Sequence, residues 1–134
     1  MLTDREFLDR FRAGTLDPRD FDHRGHVRAG WLYLGELDLE GAIEQFVRDI
    51  QRYATGLGAA QKFHRTITEA LLRLLASHLA EERQLSWREL IERHPIIVED
   101  ARGLLLRFYS PERLACQAAR GEFLPPDVRA LPIN

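Results

Sequence analysis

"FDHRGHVRAGWLYL" (residues 21–34) opens with an acidic residue suited to capping a helix, Asp22, and then repeats apolar residues at three- and four-residue spacing. At about 100° per residue, His23, Val27, Gly30 and Leu34 share one narrow stripe. His26 and Tyr33 flank it on one side, Trp31 on the other, and Arg24 and Arg28 face away. The stretch therefore reads as an amphipathic helix from about His23 to Leu34 that turns both first-turn histidines toward the buried side. Burial disfavours the imidazolium ion, so each histidine must be neutral and hydrogen-bonded, or must coordinate something.

The same pattern recurs along the chain. Thr3 and Glu6 suit a capping box for a first helix carrying Phe7, Leu8 and Phe11, and Gly14 is a natural stop. Asp38 caps a third helix with Ile43, Phe46, Val47, Ile50 and Tyr53 on one face, broken by "TGLG". The fourth and longest is expected from about Ala60 to Ala80, where Ile67, Leu71, Leu74, Leu75 and His78 recur at helical spacing. That phase puts His64 in the middle of the inward stripe and Glu69 and Arg73 opposite it. Ser86 and Glu89 suit a second capping box, and Pro95 ends or re-aims that segment before "IIVEDARGLLLRFY". Ser110, Pro111 and Gly121 frame a last helix. The stretch "EFLPPDVRALPIN" (122–134) holds three of the six prolines and reads as an extended tail. The expectation is an all-α, single-domain helical bundle over residues 1–134, of about six or seven helices.

Composition narrows the class. A chain of 134 residues, 45% hydrophobic and 30% charged, hides enough surface on folding to sustain a core without disulfides. The lone Cys116 argues against a bridge-dependent secreted fold and for a reducing cytoplasm. Nineteen basic against 21 acidic side chains, interspersed along the chain, leave no nucleic-acid footprint. Apolar runs are too short to span a bilayer, and "MLTDREFLDRF" is acidic rather than signal-like, so no membrane association is expected. A homodimer is the assembly expected if the chain is an interaction module, which a large dimer interface would favour. The strings of serine hydrolases, P-loop proteins and dinucleotide-binding folds do not occur.

The chemistry rests on His23, His26 and His64, three of the five histidines, drawn from two helices that both read as turning them inward. Bundle cores commonly build metal sites from facing helices, and three imidazoles with an open position suit zinc, iron or copper. The sharp reading is a metal-binding protein or small metalloenzyme holding a divalent transition metal through His23, His26 and His64. Lys62, Thr68 and Tyr33 would then orient a small-molecule ligand. Asp22 is a nearby carboxylate, though its position also suits a cap. Two other readings compete. One is a non-catalytic helical binding or interaction module with structural histidines; the other is a metal-free pocket in which a histidine acts as general base. His78, near a helix end, and His94, directly before Pro95, suit structural roles.

"FDHRGHVRAGWLYL", "KFHRTIT" and "YSPERLACQAARGEFLPPD" together resemble a family of small, largely uncharacterised bacterial all-helical proteins. Its pattern is F-x-H-x-x-H before an aromatic-rich helix, a central [YF]-H-x-T-x-T, and a C-terminal Y-S-x-x-x-L with A-R and P-D. The resemblance covers most of the chain and places His23, His26, His64, Thr66, Thr68, Tyr109, Ser110, Arg120 and Asp127 at motif positions. It implies a helical fold and strengthens the histidine site. Arg65 stands where the family often has Glu, which removes a ligand or base at that position.

Overall fold

Helices begin in this chain where a short polar side chain takes the first free amides. In the computed structural model, which describes residues 2–80 and 85–132, helix α1 spans Asp4–Ala13. The Thr3 hydroxyl accepts the Glu6 N–H, and the Glu6 carboxylate accepts the Thr3 N–H. Gly14 ends the helix at φ 76°, a left-handed conformation that glycine adopts without strain. Asp22 caps α2 (His23–Glu36) and Asp38 caps α3 (Leu39–Gly56), each accepting the amide three residues on. Three-residue 3-10 turns cover Pro18–Asp20 and Ala60–Lys62.

The chain packs as two compact units that divide between Phe63 and His64. The first has an aromatic core. Phe11 stacks on Phe21 at 4.9 Å between ring centroids, and Tyr33, Phe46 and Tyr53 close around it at 5.4–6.3 Å from Phe11. Fully burying one such ring stabilises by roughly 1.5–3 kcal/mol, so this cluster dominates the packing here. Arg28 departs from expectation. Rather than facing away, its guanidinium lies over the Phe7 ring and bonds Asp4 and the Leu2 carbonyl. A long side chain that buries its stem while its head finds a carboxylate satisfies both demands.

In the second unit, α4 spans Arg65–Leu79, followed by α5 (Trp87–Arg93), α6 (Pro95–Glu99), α7 (Ala101–Leu105), α8 (Pro111–Ala115) and α9 (Gln117–Gly121). Leu74, Leu75, Leu90, Ile97 and Tyr109 are its most completely buried large side chains. Two expectations are corrected. Helix α4 begins at Arg65 rather than near Ala60, because His64 is extended and serves as its cap. Glu69, expected opposite the apolar stripe, is only 4% exposed. Arg65 and Arg73, one turn on either side, bond its two carboxylate oxygens and neutralise it. The single last helix expected after Ser110 is two, α8 and α9, separated by extended backbone at Cys116. Among the described residues there is no strand, and the all-α class holds.

The Pro-rich tail is extended as expected, and it is tied down. The Thr66 hydroxyl donates to the Glu122 carbonyl and accepts the Leu124 N–H, while the Tyr109 hydroxyl donates to the Leu124 carbonyl. Farther along, the Val128 and Arg129 amides donate to the Phe108 carbonyl. The last two tail residues, 133 and 134, lie outside the described residues.

Candidate functional site

The first turn of α2 is positioned by Gly25. A Cβ there would meet the Asp20 carbonyl oxygen at 2.1 Å, so only glycine lets the 17–22 turn approach this closely. That approach lays the Phe21 ring on the His26 imidazole, stacked at 5.5 Å and 21°, while Phe46 meets the same imidazole edge-on at 5.4 Å and 89°. His26 thus points inward, as its stripe predicts, and its Nε2 is buried with no hydrogen-bond partner. Burial, and secondarily the neighbouring charge of His23, push its pKa down to about 4. At neutral pH the ring is therefore uncharged, the form that binds a metal ion. His23 is exposed, which corrects the expectation that both histidines turn to the buried side.

Sequence reading passed over a second constellation in this unit. Asp49 of α3 is buried at 2% exposure, where an isolated carboxylate would be costly. It is fully engaged. The Tyr33 hydroxyl donates to its Oδ2 at 2.5 Å, the Gln45 amide donates to both oxygens at 3.1 Å, and Arg52 donates to Oδ1 at 2.8 Å. Arg12 lies over the Tyr33 ring, donates to the Tyr33 hydroxyl at 3.3 Å and pairs with Glu36. Burial and the bond to Asp49 hold the Tyr33 phenol above its ordinary range, so it remains a donor. The available signal was position: Asp49 lies at the edge of the apolar stripe on the α3 wheel, about 60° from Phe46 and about 40° from Tyr53. Tyr33, read as a substrate donor, spends its proton on Asp49 and is itself fully buried.

His64, the third imidazole of the expected site, belongs to the second unit. Its Nδ1 accepts the Ile67 N–H at 3.1 Å, as an N-cap. That leaves the proton on Nε2, which lies 2.8 Å from the Leu114 carbonyl oxygen and donates to it. Both ring nitrogens are used. Several other motif positions of this unit also serve structure. Thr66 and Tyr109 hold the tail and Ser110 donates to Asp127 at 2.5 Å; Arg113, which is not a motif position, donates to the Pro125 carbonyl. Thr68 is buried on α4, and Lys62 is exposed in the 3-10 turn of the first unit.

His78 and His94 are brought together. Their ring centroids lie 4.7 Å apart with planes tilted by 41°, and the Nδ1 of His78 and the Nε2 of His94 are both buried. Burial, then the charges of His94 and Arg107, lower the His78 pKa from its ordinary value. Among the described residues no three His, Cys, Asp or Glu side chains are grouped to hold a metal ion, and no helix is long and apolar enough to cross a membrane. No protein-family model matches the chain, and no curated protein or solved structure matches it.

Proposed function

We propose that the chain binds a divalent transition-metal ion at the first turn of α2, with His26 as the principal ligand and His23 as the second, and uses it on a small molecule. One observation carries this reading: His26 keeps a neutral ring whose buried Nε2 has no partner. A buried polar atom left unsatisfied calls for an explanation, and an ion is one of the few available. His23, one turn earlier and exposed, is close enough for its charge to act on His26. Phe21 of the 17–22 turn covers His26 while packing on Phe11 and Tyr53, so an ion reaches Nε2 when this turn opens locally.

Two imidazoles leave open positions, and zinc, iron or copper there would polarise a substrate oxygen or activate water or dioxygen. His64 plays no part in this narrower site, because both its nitrogens are spent on the α4 cap and on Leu114. Titration of untagged protein with Zn(II) tests the reading. His26→Ala abolishes binding at this site, whereas His64→Ala lowers stability and leaves binding intact. Undiminished binding by His26→Ala contradicts it. A non-catalytic helical module is the second reading, favoured by the use of Thr66, Tyr109, Ser110 and Asp127 to anchor the tail.

A further inference from the structure

We infer that His78 and His94 form a second divalent transition-metal site, independent of the first and contained within the unit that starts at His64. The two imidazoles come from different places in the sequence, His78 from the last turn of α4 and His94 from the junction of α5 and α6. Helix ends often carry a histidine for its effect on the terminal carbonyls. That role does not account for the packing of one ring against the other.

Geometry carries the inference. Two imidazoles on one tetrahedral ion, each with its nitrogen about 2.0–2.1 Å from the metal, place their ring centroids roughly 5 Å apart. A linear arrangement would need about 6 Å. The observed 4.7 Å fits the bent arrangement of zinc, cobalt or nickel, and excludes a linear two-coordinate ion without movement. A ring nitrogen of His78 is also available. The Nδ1 of His78 is buried and has no hydrogen-bond partner, and the buried Nε2 of His94 belongs to the ring beside it. Both rings are only partly buried overall, so water or a small ligand can complete the coordination sphere.

Arg107 opposes the ion. Its positive charge acts on His78 and would repel a divalent cation, though from an exposed position where solvent screens it. This gives the site a signature that a structural role for the histidines would not produce. Removing the Arg107 charge should tighten metal binding by about two- to fivefold.

The experiment uses the untagged, full-length chain carrying His23→Asn and His26→Asn, titrated with Zn(II) alone and followed by calorimetry. One equivalent still binds, and adding either His78→Asn or His94→Asn weakens that binding at least about tenfold. Arg107→Gln in the same background tightens it. Ring-nitrogen NMR of the unsubstituted chain guards against variants that do not fold. Zn(II) moves the nitrogen signals of His78 and His94 together. Titrations unchanged by either histidine substitution, dependence on only one of the two, an unchanged affinity in Arg107→Gln, or a shift at only one ring would overturn the assignment. Loss of binding in His26→Ala with this site intact counts against nothing here, which keeps the two sites separable.

Discussion

His26 stores a proton-binding preference that only the folded state suppresses. Its ordinary pKa is near 6.5, and burial against Phe21 and Phe46 lowers it to about 4. Above the ordinary value both folded and unfolded chains keep the ring neutral, so it adds no pH dependence there. As pH falls from about 6.5 to about 4, the unfolded chain takes up a proton that the folded chain refuses, and stability drops by on the order of 3 kcal/mol. His26→Leu should remove that component. Urea unfolding at pH 7 and pH 4.5 measures it, and an equally steep fall in the variant would contradict the assigned environment. Gly25 supports the same feature through backbone space. Gly25→Ala forces its new methyl into the Asp20 carbonyl, which is backbone and cannot swing aside. The 17–22 turn must move at a cost of about 1–3 kcal/mol, and Phe21 leaves His26 more exposed. A His26 ring pKa rising toward its ordinary value by NMR titration checks this; an unchanged value would show that the turn does not depend on Gly25.

At the scale of elements, α4 shows where periodicity can be read and where it misleads. The apolar positions from Ile67 to His78 are helical as their spacing indicates. The start is not visible from the wheel, because "AQKFHR" carries no Ser, Thr, Asp or Asn to announce a cap, and histidine fills that role through Nδ1. A helix begun at Ala60 makes His64 an inward-facing ligand, whereas one begun at Arg65 makes it the cap. Glu69 could be buried only because Arg65 and Arg73 lie one turn away on either side, a pairing that a hydrophobic stripe does not count. The tail was legible as extended from its prolines, whereas its anchors were not, since the Thr66, Tyr109 and Ser110 bonds reach across 15–58 residues. Two substitutions test this element. His64→Ala loses a cap and the bond to Leu114, together worth about 1–3 kcal/mol. Thr66→Val keeps the shape of the side chain and loses both tail bonds. Faster hydrogen exchange at the Leu124 amide, with α4 amides still protected, is the expected result; unchanged exchange at Leu124 would contradict the clasp.

Across the whole molecule, four of the five histidines divide by what their rings and nitrogens do. His64 is consumed by structure, His26 holds a buried nitrogen without a partner, and His78 and His94 face one another. Counting inward-facing histidines on helical wheels identified His26 and misplaced His23 and His64, because the wheel reports direction and not which lone pairs are already engaged. The same limit hid Asp49, whose burial is permitted by Tyr33, Gln45 and Arg52 from two helices. The all-α class, by contrast, follows from caps and stripes that act locally. The most direct measurement is a Zn(II) titration of the unsubstituted, untagged chain, following the ring nitrogens of all five histidines by NMR. The account predicts that the His26 and His23 signals shift together as the ion is added while His64 stays fixed on Ile67 and Leu114. A His26 ring that remains unmoved at saturating Zn(II) would contradict it.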